Sequence, residues 1–147
     1  MESVYRLSCA DGSASAFVLF DVFHHLRHPG AALGEMRRAL EKGGRVILIE
    51  PDMGALGRLI FGKFHHEPIA LDEKIEWDAP DGWNPEQHGY YAAQGNASRV
   101  FVDGELREKL AGWRVIEVKR MPAFPTSAVA AFAGRSCIRG PRCRSCV

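Results

Sequence analysis

Five consecutive apolar residues, Ala16, Phe17, Val18, Leu19 and Phe20, lie between the turn formers Asp11-Gly12-Ser13 and the charged Asp21. A run this short and this uniformly apolar predicts a central parallel strand covered on both faces. The period then changes. After His28-Pro29-Gly30, the apolar residues Ala32, Leu33, Met36 and Leu40 recur at helical spacing, with Glu35, Arg37, Arg38 and Glu41 between them. This predicts an amphipathic helix over residues 31–40. Lys42-Gly43-Gly44 offers glycines for a left-handed helix stop, and Arg45-Val46-Ile47-Leu48-Ile49-Glu50 reads as a second buried strand ended by Pro51. Strand, helix and strand within about 35 residues make a βαβ unit, whose crossover is right-handed in about 98% of cases. The fold class is therefore α/β, built on part of a doubly wound parallel sheet.

Beyond this unit the pattern loosens. Residues 53–62 read as a helix carrying Gly54, Gly57 and Gly62. Residues 67–94, rich in Pro, Asp, Gly and Trp, read as a long irregular insert of the kind that serves as a lid or substrate loop. Asp103 is placed to cap a short helix ending at Leu110. Trp113, Val115, Ile116 and Val118 alternate with polar residues as in a half-solvated strand at a sheet edge. The expected organisation is one partial domain over residues 1–133, then a disordered Arg- and Cys-rich tail over residues 134–147.

Composition narrows the class. Hydrophobic residues at 46% and charged residues at 25% match an ordinary globular chain, and 147 residues suffice for one core. A formal charge of +1 gives no long-range attraction for nucleic acid or an anionic membrane, and the longest apolar runs fall far short of the roughly 20 residues of a membrane span. Neither partner is expected. Cys9 stands alone while Cys137, Cys143 and Cys146 crowd the other end, which predicts reduced thiols rather than a disulfide framework. The start lacks the basic and apolar parts of a secretory signal, so the expected location is cytoplasmic.

Three stretches carry a resemblance: Leu7-Ser8-Cys9-Ala10-Asp11-Gly12-Ser13, Phe17-Val18-Leu19-Phe20-Asp21-Val22-Phe23-His24-His25-Leu26, and the run from Glu35 through Lys42-Gly43-Gly44 to Glu50-Pro51. Together they resemble the class I S-adenosylmethionine-dependent methyltransferases, in particular the group called methyltransferase type 11. In that family the pattern covers the end of the adenine-contacting loop, the fourth strand, the crossover helix and the fifth strand. The chain also departs from it. No G-x-G occurs anywhere, and the family's glycine-rich turn and ribose-binding acidic residue have no counterpart. Ser3, Ser8 and Ser15 stand where relatives commonly carry an acidic or amide residue, proline and aspartate. Alignment puts the lacking elements ahead of Met1, so the resemblance implies a truncated domain whose methyl transfer is impaired.

The cofactor implied is S-adenosylmethionine, and the partner a small-molecule methyl acceptor. Matching positions imply that Ser3 and Val4 border the adenine and that Phe20 lies near the methionine part of the cofactor. Ligands of open α/β sheets bind at the carboxyl ends of strands, so Asp21, His24 and His25 are expected at the site, with Asp21 otherwise a turn or capping residue. His25, with His24 as the alternative, is the candidate catalytic base, because imidazole titrates near neutrality. His24, Tyr90, Tyr91 and Arg99 are candidate substrate contacts, the last three offering aromatic faces and donors around Gly95. The bland alternative is that these histidines pack in a turn and the loop is stitched by its own side chains. No metal site is expected: Pro29 disfavours a helix that would pair His24 with His28, and Cys143-x-x-Cys146 lacks framing strands. The runner-up to the enzyme is a non-catalytic α/β module acting through a partner chain, with self-association through an exposed sheet edge.

Overall fold

The computed structural model describes residues 3–64, 67–86 and 89–120. The expected βαβ unit is present. Strand β1 (Ala14–Phe20) and strand β2 (Leu40–Ile49) pair in parallel, joined through helix α1 (Pro29–Ala39). The register sets Phe17 beside Val46, Val18 beside Ile47, Leu19 beside Leu48 and Phe20 beside Ile49. Pro29 opens α1, where its fixed φ suits the first turn and its missing N–H costs nothing. Ala32, Leu33, Met36 and Ala39 form the buried stripe of the helix.

The helix ends earlier than its glycines suggested. Leu40 is already extended and pairs with Ala14, and Gly43, at φ +87, serves an irregularity in β2 between the Ala14 and Ala16 pairings. Helix α2 (Ala55–Phe64) follows, two residues later than expected. Its Gly57 has a physical reason: a Cβ there would lie 2.0 Å from the Asp52 carbonyl oxygen.

The core gathers Leu19, Phe23, Leu26, Leu33 and Met36 with Ile75 and Trp77 of the insert and Val100 and Leu110 behind it. The described residues of this insert, 67–86 and 89–94, are irregular as predicted, yet they are docked. Gly30 donates to the Trp77 carbonyl at 2.9 Å, and Ile69 and Gln94 form an isolated bridge.

Four expectations are corrected. The strands are not covered on both faces: Phe17, Leu19, Val46 and Leu48 face the core, while Val18 (62% exposed), Phe20 (52%), Ile47 (47%) and Ile49 (38%) face out. Among the described residues no second layer packs on that side. The C-terminal edge strand does not form, because residues 113–118 find no neighbouring strand and Val115, Ile116 and Val118 remain exposed. Asp103 closes a single π turn (Ser98–Val102) instead of capping the next element, a 3-10 turn (Arg107–Leu110) entered through Leu106 at φ +58. Cys9, expected as a reduced thiol, is disulfide-bonded. The tail and its three cysteines lie outside the described residues, and among the described residues no helix is long and apolar enough to cross a membrane.

Candidate functional site at the carboxyl ends of the strands

Parallel pairing brings the carboxyl ends of β1 and β2 together, so the residues after each strand meet. Asp21 donates its N–H to the Ile49 carbonyl at 2.8 Å and then turns the chain through φ +58, a conformation that costs an aspartate less than most side chains. A 3-10 turn (Phe23–His25) follows directly. Its first N–H groups have no helical partner, and Glu50 supplies one. Oε1 of Glu50 accepts from Val22 at 2.8 Å and Phe23 at 2.6 Å, while Oε2 lies 2.7 Å from Nδ1 of His24. A buried carboxylate thus receives three donors, which compensates its desolvation.

The insert closes over this turn from the other side. Ala93 donates to the His24 carbonyl at 2.9 Å, and Nδ1 of His25 lies 2.9 Å from the Tyr91 carbonyl oxygen. Glu67 sits between the two histidines, with Oε2 3.5 Å from Nε2 of His24 and Oε1 3.5 Å from Nε2 of His25. The Tyr90 hydroxyl donates to Oε1 of Glu67, and Gln94 donates to Oε2 at 2.6 Å. His25 and Tyr90 stack at 5.4 Å between ring centroids, and with Gly89 and Tyr91 they line a shallow open depression of about 340 Å³.

Charge follows from this packing. Burial of Glu67 opposes ionisation, but the hydrogen bonds from Tyr90 and Gln94 and the neighbouring His25 and His24 outweigh it and hold its carboxyl at about 2. Burial of His24 likewise disfavours its cation, yet the hydrogen bond to Glu50 and the charges of Glu50, Asp21 and Glu67 raise its pKa above the ordinary 6.5. The donor atoms of His24, His25 and Glu67 all lie within 4.8 Å of one another, and so do those of Asp21, His24 and Glu50.

Of the residues singled out from sequence, Asp21, His24, His25, Tyr90 and Tyr91 meet at this rim, whereas Phe20, the last residue of β1, is exposed on the uncovered face of the sheet. His24 is enclosed at 1% exposure, whereas His25 borders the depression. Ser3 and Val4 belong to a separate turn, in which the Ser3 carbonyl accepts from Arg6 at 3.0 Å and Val4 packs at the core margin. Arg99 is buried and committed elsewhere. It forks onto Glu105 with two contacts of 2.7 Å and donates to the carbonyls of Ala70 at 2.8 Å and Glu73 at 2.6 Å. Sequence reasoning passed over Glu50 and Glu67. Glu50 had a usable signal, since a carboxylate directly after a buried parallel strand must face the ligand-binding end of the sheet.

Nothing among curated proteins or solved structures matches the chain significantly. A family model described as Methyltransferase domain does match, over residues 1–48, which include β1, α1 and nearly all of β2. The βαβ unit and its parallel register fall on these matched residues, about a third of the chain, and this segment is similar to a methyltransferase domain.

Proposed function

We propose that the chain serves S-adenosylmethionine-dependent methyl transfer to a small-molecule acceptor, at the rim formed by the carboxyl ends of β1 and β2. The observation that carries this reading is that His25, in the turn after the matched strand β1, lines one open depression with Gly89, Tyr90 and Tyr91. The residues fit one side of such a donor. Phe20 and Asp21 are exposed at the strand end, while Ser3 and Val4, for which the resemblance implies contact with the adenine, lie in a separate turn. They do not complete it, because the sequence has no glycine-rich turn for close backbone approach. These 147 residues alone are therefore proposed to hold the donor weakly, and transfer is impaired.

The donor, when bound, supplies the electrophilic methyl group, and the protein aligns the acceptor and handles its proton. His25 is placed for the second task. With Nδ1 hydrogen-bonded to the Tyr91 carbonyl, the proton sits on that atom and Nε2 keeps a lone pair. That lone pair can accept the acceptor's proton, and Glu67 at 3.5 Å stabilises the resulting cation. Tyr90 and Tyr91 offer faces for the acceptor, while enclosed His24 and Arg99 hold the rim and the loop in position. Titration of the labelled chain with S-adenosylmethionine, followed at the backbone amides of the rim, tests the reading.

A second reading, a module that acts through association, is favoured by the bare sheet face of Val18, Phe20, Ile47 and Ile49. In that reading the occupant is a second copy of the chain.

A further inference from the structure

The turn after β1 holds an arrangement that methyl transfer does not require. We propose that His24, His25 and Glu67 form a binding site for a divalent transition-metal ion, of which Zn²⁺ is the representative.

Nδ1 of His24 faces the Glu50 carboxylate at 2.7 Å, and Nδ1 of His25 faces the Tyr91 carbonyl at 2.9 Å. Both oxygens only accept, so each Nδ1 carries a proton, and in the neutral imidazoles each Nε2 presents its lone pair. A histidine anchored at one nitrogen by a carboxylate or carbonyl is the arrangement that orients metal-bound imidazoles. Both Nε2 atoms converge on one carboxylate, Glu67, each 3.5 Å from one of its oxygens.

In the neutral imidazoles these lone pairs face the Glu67 carboxylate and call for a positive charge between them, which a proton supplies at lower pH and a metal ion supplies where the imidazoles are neutral. Nε2 of His24 has no hydrogen-bond partner although the residue is 1% exposed, an expensive state for a buried nitrogen. The distances suit an ion: with bonds of about 2.0–2.2 Å and tetrahedral angles, two ligands of one zinc stand about 3.4 Å apart. Glu67 is itself oriented by Tyr90 and Gln94, as ligating carboxylates commonly are. The neighbouring set of Asp21, His24 and Glu50 fits less well. Its 2.7 Å contact is a hydrogen bond with no room for an ion, and Oε1 of Glu50 is committed to two backbone donors.

Two imidazoles and a carboxylate leave at least one position open, and partly exposed His25 sets it toward the depression beside Tyr90. A water or an oxygen of a small acceptor would take that place, with its pKa lowered by the ion. Engagement of the His25 lone pair excludes its use as a base, so the two roles belong to different states of the protein. The inference does not depend on methyl transfer, since ligand type and geometry alone carry it.

The test uses the full chain, stripped with chelator and titrated with Co²⁺ and then Zn²⁺. One equivalent of Co²⁺ should give a visible ligand-field band without thiolate charge transfer in the near ultraviolet, and Zn²⁺ should displace it. His25→Ala, at a partly exposed position, and Glu67→Gln should each weaken binding at least about tenfold while circular dichroism stays unchanged. Absence of saturable binding overturns the proposal. So does equal affinity in the folded His25→Ala variant, or a thiolate band that assigns the metal to cysteine sulfur.

Discussion

Glu50, the residue after β2, reaches across to His24, twenty-six positions earlier, and holds its Nδ1 at 2.7 Å. The same carboxylate receives the N–H groups of Val22 and Phe23, so one side chain fixes the turn that follows β1. Glu50→Gln keeps the shape but turns an amide group toward at least one of these donors. We expect a loss of about 2–4 kcal/mol in urea unfolding, because buried donors are left without an acceptor. A change within experimental error would mean that the turn is held by something other than Glu50.

The insert is anchored where α1 begins. A Cβ on Gly30 would lie 2.3 Å from Nε1 of Trp77 and 2.7 Å from its carbonyl oxygen, and backbone cannot swing aside as a flexible side chain can. Gly30→Ala should cost about 1–3 kcal/mol and loosen residues 67–94, seen as faster amide exchange there. Uniform exchange across the chain would show that the insert is not docked through this contact.

These two contacts separate what was legible in the sequence from what was not. The βαβ unit was legible because the apolar period changes twice within residues 16–50, and each change follows from backbone geometry. The placing of Asp21, His24 and His25 followed from it, since parallel strands put their carboxyl ends on one rim. Glu67 was not legible, for it lies in a stretch without periodicity that is positioned by Trp77 and Gln94 rather than by its own pattern. Nor was the bare face of the sheet: Ala16 to Phe20 reads the same whether or not a layer covers Val18 and Phe20. Residues 113–118 failed for the same reason, since alternation makes a strand only where a neighbour supplies the ladder. Arg99 looked like a ligand contact because arginine often is one, but its donors are consumed by Glu105 and two carbonyls.

Glu35 gives a pH dependence whose sign is fixed. Its carboxyl is held below the ordinary 4.5, first by the Arg38 hydrogen bonds, which outweigh the opposing effect of burial, and further by the Leu7 N–H and the Arg38 charge. A group with a depressed folded value contributes stability above its unfolded value, and that stability disappears as the pH falls through the folded one. Comparison of the wild type with Glu35→Gln by urea unfolding should show the largest difference above about pH 5, shrinking steadily as the pH falls below the unfolded value and through the folded one. A gap that stays constant down to pH 3 would contradict the assignment.

Val18 and Ile47 face each other in register on the uncovered side of the sheet. Paired replacement Val18→Thr with Ile47→Thr keeps β-branched residues while removing apolar surface, so stability should change by no more than about 0.5 kcal/mol. Sedimentation velocity should show concentration-dependent association in the wild type and a monomer in the variant. Identical sedimentation of both would remove self-association through this face.

The carboxyl ends of β1 and β2 are proposed to border a methyl-donor site held only in part by these residues. Titration of the ¹⁵N-labelled chain with S-adenosylmethionine tests it most directly. A charge-assisted contact to the ribose is worth about 1.5–3 kcal/mol, so its lack alone weakens binding by at least about tenfold, and the dissociation constant should lie near ~1 mM. Amide shifts should cluster at Phe20, Asp21, Val22 and His25, with smaller ones at Ser3 and Val4. Shifts confined to other parts of the chain, or none at saturating donor, would contradict the account.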